Sequence, residues 1–402
     1  MISVIKNIGK IITWSTDKNA LSEIKGCDIL IQDDLVIKIA PNLISSNIDN
    51  VIDAKNGLVT PGFIDCHTHP IFSSDRSLDY KLRVEGKTYE QISLEGGGIK
   101  SSIKSVRDLS IDDLFNECLS KIDFFLKKGT TTIEAKSGYG LTLEDEIKSL
   151  DVIKKLNNNS ELDIIPTFMG AHDFPPEYVN DKDGYVDLIC NKMIPEVADK
   201  KLALFCDVFC EKGYFSVKQS EKILRTGLDF GLIPRLHADE FVDSDAARLA
   251  SEINAISADH LMFASDRNLK RMADAGATSV ILPGTTFFLG KKAYVDAGKI
   301  LEFGGDVAIA SDYNPGSCFI QSMPFIMLLS NLYCNLSIDL SFKACTYNAA
   351  KVLKKEKQIG LVKEGYKADL LLWNLDSLAA IPYSFDKQDS ILNVIKNGKV
   401  IK

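Results

Sequence analysis

No stretch of this 402-residue chain keeps an apolar run close to the roughly 20 residues a membrane helix needs, so a helical membrane span is not expected. Positive charge is in deficit: 47 Lys and Arg against 55 Asp and Glu leave a net charge of -8. Non-specific attraction to nucleic acid or an anionic membrane is therefore not expected. Nine cysteines are an odd number and follow no zinc-finger spacing. The N-terminal ten residues break their apolar stretch with charges and carry no signal-peptide cleavage pattern. The expectation is a cytoplasmic protein with reduced thiols, Cys206 and Cys210 among them as core residues. Gly96-Gly-Gly-Ile-Lys lacks the lysine and hydroxyl spacing of a phosphate-binding loop and reads as a turn.

What is present falls into two textures. Residues 1 to about 60 read as short strands and turns, with Asp28-Ile-Leu-Ile-Gln, Leu35-Val-Ile-Lys-Ile, Asn50-Val-Ile-Asp and Gly57-Leu-Val-Thr, and no long helix fits. From Gly360 the same texture returns in Ala368-Asp-Leu-Leu-Leu-Trp and Ile391-Leu-Asn-Val-Ile, with Asn397-Gly398 as a hairpin turn. Neither piece has strands enough for its own core. One small β-sandwich built from 1–60 plus 360–402 is predicted, leaving 61–359 as a second domain.

In that middle region apolar runs recur, each followed by polar residues and then a helical stretch. They are Gly62-Phe-Ile-Asp, Thr130–Lys136, Leu162–Met169, Leu204–Phe209, Leu232–Leu236, Ile253–Ser257, Thr278–Leu282 and Val307–Ala310. Glu144 to Asn157 has apolar residues at helical spacing, and Ser216 with Gln219 has the spacing of a capping box. Eight strands alternating with helices predict an α/β fold of the (β/α)8 TIM-barrel type. A doubly wound open sheet is the competitor, but it does not readily bring the first, fifth and eighth strands to one point.

Barrels of this kind carry their active sites at the C-terminal ends of the strands. All five histidines, His67, His69, His172, His237 and His260, fall at or near such ends. His67 and His69 sit two residues apart on an extended chain, so both rings share a face. With His237 from strand five and Asp312 from strand eight they make a three-nitrogen, one-oxygen set. That mixture suits one Zn²⁺ or Fe²⁺ better than Mg²⁺ or Ca²⁺, and a water activated by the ion is the expected nucleophile. Glu240 is placed to shuttle protons, with Asp239 as its rival. His260 is placed to share the proton transfer or stabilise the attacked oxygen. Arg76 can hold a substrate carboxylate through paired hydrogen bonds. Tyr139, in a Ser-Gly-Tyr-Gly loop expected to be flexible, can help it, and Tyr89 is a weaker candidate.

Pro61-Gly-Phe-Ile-Asp-Cys-His-Thr-His and Lys367-Ala-Asp-Leu resemble the amidohydrolase superfamily. A narrower set resembles the imidazolonepropionase family within it. That set is Asp75-Arg76, Gly96-Gly-Gly-Ile-Lys-Ser, Glu134-Ala-Lys-Ser-Gly-Tyr-Gly, Gly170-Ala-His, Phe209-Cys-Glu-Lys-Gly, Leu236-His-Ala-Asp-Glu-Phe, Ala258-Asp-His, Leu282-Pro-Gly-Thr-Thr-Phe-Phe-Leu and Ser311-Asp-Tyr-Asn-Pro-Gly-Ser. The resemblance implies hydrolysis of 4-imidazolone-5-propanoate to N-formimidoyl-L-glutamate in histidine degradation. It implies a metal on His67, His69, His237 and Asp312, and substrate contacts from Arg76, Tyr139, His172, Glu240, Asn314, Gly316 and Ser317. Superfamily members are often dimers, so a homodimer is expected. Two-metal members carboxylate a lysine near strand four. Here that neighbourhood holds Glu211 and His172, so one metal is expected, and neither Lys136 nor Cys66 receives a role. The alternatives are another cyclic amide or amidine hydrolase, a nucleobase deaminase, or a non-catalytic ligand-binding scaffold.

Overall fold

A computed structural model of the chain describes residues 1–43, 48–87, 91–92 and 97–401. Tyr89 and Gly96 lie outside these residues. Among the described residues seven strands precede the barrel: β1 (Ile2–Lys6), β2 (Lys10–Ser15), β3 (Ala20–Ile24), β4 (Asp28–Gln32), β5 (Leu35–Ala40), β6 (Asn50–Asp53) and β7 (Leu58–Pro61). Eight more alternate with helices: β8 (Phe63–Asp65), β9 (Thr130–Lys136), β10 (Asp163–Ala171), β11 (Phe205–Cys210), β12 (Ile233–Ala238), β13 (Ser257–His260), β14 (Thr278–Ile281) and β15 (Val307–Ile309). The chain returns to strands in β16 (Leu370–Trp373), β17 (Ile391–Lys396) and β18 (Lys399–Val400).

The termini interleave. One four-stranded sheet runs β5-β4-β1-β6, and one six-stranded sheet runs β18-β17-β16-β7-β2-β3, so strands from both chain ends are hydrogen-bonded neighbours. Ile5, Ile29, Ile31, Val59, Leu370, Leu372 and Ile395 pack into one apolar cluster. Burying each such side chain contributes on the order of 1.5–3 kcal/mol, which neither terminus can collect alone. Asn397 and Gly398, with φ of 48° and 76°, form the tight turn between β17 and β18. Positive φ at both central residues is what that hairpin turn demands.

β8 to β15 form one parallel sheet in chain order. It curls until its edges meet just beyond the strand ends. Thr68 and Tyr313 bridge in parallel, the Asp312 N–H donates to His67 O at 3.1 Å, and the His69 N–H donates to Tyr313 O at 2.8 Å. The bonds that close the cylinder are thus made by residues of the expected metal site. Helices Leu143–Asn159 and Val217–Asp229 fall where their periodicity places them, the second with the Ser216–Gln219 capping box formed. Several strand ends shift by one or two residues, so that β12 contains His237. The largest shift is at β13: Ile253 to Ile256 lie in a turn and bend, and the strand begins at Ser257. Asp259 and His260 are therefore inside the strand rather than after it.

A buried ion pair docks the terminal sheets to the barrel. The Lys396 ammonium donates to Asp369 at 2.6 Å and to Asp163, the first residue of β10, at 2.9 Å. Lys367 reaches the same Asp163 at 3.3 Å. The Lys-Ala-Asp segment near the chain end is therefore a fastening between the two sheet systems. Among the described residues, no helix is long and apolar enough to cross a membrane.

Candidate metal centre and active site

Alternation along each barrel strand sends every second side chain to the axis. In β9 Ile133 and Ala135 join the apolar layer, while Glu134 and Lys136 face inward. Arg235 and His237 do so from β12, Asp207 from β11 and Asp259 from β13. Most barrels fill this space with branched aliphatics; here it holds charges that pair with one another. The Lys136 ammonium donates to Glu134 and to Asp207, each at 2.7 Å. Arg235 donates to Asp259 and to the Cys66 carbonyl, each at 2.8 Å, and lies 3.4 Å from Glu134. All five charged groups are fully buried. Burial, and Arg235 nearby, would push the Lys136 ammonium down; Asp207 and Glu134 outweigh both and hold it above its ordinary value. Burial would push Asp207 up, but Lys136 and His237 keep it well below the usual carboxylate range.

On this layer stand the histidines. Nδ1 of His67 is 2.6 Å from Asp259, and Nδ1 of His237 is 3.0 Å from Asp207. A carboxylate at Nδ1 keeps the proton there and leaves the Nε2 lone pair free. Those lone pairs converge. Nε2 of His69 is 3.2 Å from Nε2 of His67 and 3.3 Å from Nε2 of His237. Oδ1 of Asp312 is 3.4 Å and 3.5 Å from Nε2 of His67 and His69. Acceptors gathered this closely repel one another unless a cation lies between them. Ligands about 2.0–2.1 Å from a tetrahedral ion stand about 3.3 Å apart, the spacing of these four contacts, and ring nitrogens of His67, His69 and His237 all lie within 4.8 Å of one another. Burial drives the His67, His69 and His260 rings well below the usual imidazole value, which keeps them neutral and able to ligate.

Asp312 is aimed by its surroundings. Thr285, from the Leu282-Pro-Gly-Thr-Thr segment, donates to its Oδ2 at 2.5 Å, leaving Oδ1 for the histidines. Asp312 and His260 both have left-handed backbones, with φ of 55° and 78°. This conformation costs on the order of 1–3 kcal/mol and persists only where surrounding structure imposes it. Burial pushes Asp312 up to about 6; a cation at Oδ1 would reverse that.

The competition between Asp239 and Glu240 is decided by hydrogen bonds. Asp239 accepts from the backbone N–H groups of Ser244, Ala246 and Ala247, so it is the carboxylate that starts helix Ala246–Glu252. Glu240 faces the cavity instead, with Oε2 3.6 Å from Nε2 of His260. Burial, with Asp312 nearby, pushes it up to about 8. Glu211 steadies the following turn, accepting from the Phe241 N–H and the Ser244 hydroxyl at 2.8 Å each.

A cavity of about 510 Å³ opens over this cluster. Arg76, Tyr139, His172, Glu240, His260, Asn314, Gly316 and Ser317 all line it with the metal candidates His69, His237 and Asp312. Arg76 passes where a Gly316 side chain would stand: a Cβ there would fall 1.2 Å from its Nη2. Asn314 spends its amide on its own turn, donating to Asp312 O and Ser317 Oγ and accepting from the Gly316 and Ser317 N–H groups. His172 stacks on His69, with centroids 5.0 Å apart, and its Nδ1 lies 2.9 Å from Gly138 O. The Tyr139 loop is not the loose segment expected. Glu146 accepts from the N–H groups of Gly138, Gly140 and Leu141, and Tyr139 is buried. Sequence reading missed the layer of Glu134, Lys136, Asp207, Arg235 and Asp259. The signal that could have found it is charge at alternate positions of strands that must face a barrel interior.

Residues 236–401 match the model of the amidohydrolase family. The imidazolonepropionase of Geobacillus kaustophilus is 44% identical over 369 residues, covering 92% of this chain and 86% of that one. The imidazolonepropionase of Geobacillus thermodenitrificans is 44% identical over 352 residues, 88% of this chain and 82% of that one. Among solved structures, a triazine hydrolase from Arthobacter aurescens superposes with a TM-score of 0.76 over 100% of this chain and 94% of its own, at 16% identity, a likeness of fold alone. Identity at this level along most of the length of both chains, on a barrel whose mouth gathers the expected donors, shows that the chain belongs to the imidazolonepropionase family of amidohydrolases.

Proposed function

We propose that the chain hydrolyses the ring C–N bond of 4-imidazolone-5-propanoate, giving N-formimidoyl-L-glutamate, as a step of histidine degradation. One observation carries this reading: a single cavity joins the His and Asp cluster to a guanidinium, Arg76, that can grip the propanoate tail. His67, His69, His237 and Asp312 would hold one divalent ion, Zn²⁺ or Fe²⁺. When bound, that ion supplies Lewis acidity, polarising the ring carbonyl and making water a stronger acid.

The chain's own residues do the rest. Arg76 and Tyr139 hold the tail carboxylate and fix the ring carbonyl over the cluster, with His172, Gly316 and Ser317 shaping the wall. Asn314 keeps the loop around them in place. Water adds to the ring carbonyl carbon, and its proton passes to Asp312 or Glu240. His260 donates to the oxygen that gains charge. The ring C–N bond then breaks, and the departing nitrogen takes a proton from Glu240, whose raised proton affinity suits it to hold one near neutral pH.

The same reading divides the chain into a composite β domain of 1–60 plus 360–402 and a barrel of 61–359. It makes the assembly a homodimer, checked by sedimentation. All nine cysteines are free thiols, which supports a reducing compartment and hence the cytoplasm. The deciding experiment is turnover of imidazolonepropionate, with guanine, cytosine and hydantoin as competitors, before and after chelation. Turnover of the first alone, lost with the metal and restored by it, is expected; preference for a neutral heterocycle would overturn the proposal.

A further inference from the structure

The cavity rim carries two cations that neither the ligand cluster nor the tail anchor uses. Arg83, on helix Ser77–Val84, lies over the Tyr80 and Phe288 rings at 5.7 and 5.8 Å. It donates to the Phe288 carbonyl at 3.4 Å. Lys291 stands three residues further along that rim, exposed, with its ammonium 4.4 Å from the Phe241 ring centroid. Both line the cavity. Among the described residues neither lies within 4.0 Å of a carboxylate, whereas Arg76 has Asp79 3.9 Å away. Aromatic faces hold these two cations without neutralising them.

The chain as a whole carries -8 and repels an anion at long range. Arg76, Arg83 and Lys291 line this cavity with Asp79, which acts on Arg83, and with Glu240, which burial pushes up to about 8. The local excess of positive charge opposes the chain's overall field and raises the concentration of anions at the mouth. We infer that Lys291 and Arg83 form an outer capture site for the carboxylate of the incoming substrate, which is then handed to Arg76. This rests on the reading of the substrate as a carboxylate-bearing ring. It assigns the two residues a role in selecting anionic rings over neutral ones, apart from the chemistry at the floor of the cavity.

The test uses the metal-loaded full chain and its Lys291→Met, Lys291→Glu and Arg83→Met variants. For the wild type, kcat/KM for imidazolonepropionate should fall as ionic strength rises from about 20 to about 500 mM, through KM, because exposed charges are screened within a Debye length. Lys291→Met should raise KM about twofold to fivefold at low salt, flatten the salt slope and move kcat little. Lys291→Glu should reverse the slope's sign, and Arg83→Met should behave as Lys291→Met does. A merely structural role would not move a salt slope. Calorimetric binding of imidazole-4-propanoate against neutral 4-propylimidazole reads the same rim without turnover. The anion's affinity should lose its salt dependence in the variants, and the neutral ring should bind all proteins alike. Variants that keep the wild-type slope in both measurements overturn the capture site. A wild type that binds the anion with this slope but does not hydrolyse imidazolonepropionate overturns the proposed function instead.

Discussion

The Asp259 carboxylate stands 2.6 Å from Nδ1 of His67, while Arg235 holds the same oxygen from the other side at 2.8 Å. The ligand ring is therefore aimed by a group that is itself clamped, and the clamp continues through Glu134 and Lys136 to Asp207 and the ring of His237. Asp259→Asn keeps the shape but weakens the hold on the Nδ1 proton. Metal affinity should fall about 10–100-fold, measured on the folded protein by competition with a chromophoric chelator. Because buried Arg235 loses a charged partner as well, the urea midpoint of the metal-free protein should also fall.

Lys136→Met removes the cation between Glu134 and Asp207 and leaves both carboxylates buried without it. Breaking a buried pair from one side costs about 3–5 kcal/mol, read from urea unfolding. The pH dependence follows from the shifts. Asp207 is held below its unfolded value, so its contribution is complete above the usual carboxylate range and is lost as pH falls through the folded value. Lys136 is held above its own, so its contribution is complete below the usual ammonium value and is lost as pH rises through the folded one. The wild type should show a plateau between these limits. In Lys136→Met the folded Asp207 value moves up toward the unfolded one, so the acid-side loss shrinks and the deficit against the wild type is largest on the plateau.

Glu240→Gln should lower kcat by about 10²–10⁴ without emptying the metal site, checked by metal analysis of the purified variant. It should also stabilise the metal-free fold at pH 8. Glu240 is raised from the ordinary carboxyl value to about 8, so the fold disfavours its ionised form. Stability is lost as pH climbs from the unfolded value toward the folded one. A neutral amide escapes that loss, which amounts to a few kcal/mol, visible as a higher urea midpoint at pH 8 and a small difference at pH 4.

Arg76→Ala should raise KM more than it lowers kcat. Gly316→Ala should do much the same without touching the arginine. Its new Cβ falls on Nη2, the far end of a flexible side chain, so the guanidinium swings away and the fold survives. An unchanged KM for Gly316→Ala would show that Arg76 does not anchor the tail from this position.

Most of what lies on single segments was legible in the amino-acid order. Largely apolar runs separated by helical stretches marked the eight barrel strands, because the face of each strand turned to the helices must be apolar even where the face turned to the axis carries charge. The His-Thr-His spacing put two rings on one face, and polar residues at strand ends marked the catalytic mouth. The start of β13 and the looseness of the Tyr139 loop were misread. The first depends on a turn that interrupts an apolar run, the second on a carboxylate, Glu146, that lies in the following helix.

The amino-acid order alone determined the alternation of strands and helices, the five histidines at strand ends and the pairing of the two termini, because each follows from local periodicity and from the need to bury apolar faces. Only the closed cylinder decided that Asp239 starts a helix while Glu240 faces the cavity, and that Lys136 and Arg235 bind together the carboxylates beneath the ligand rings. The ties beneath the ligand rings join side chains on different strands, 24 residues apart for Arg235 and Asp259 and 192 for His67 and Asp259. The Asp239 and Glu240 assignments depend on the turn after β12; the period of a single strand carries no information about either.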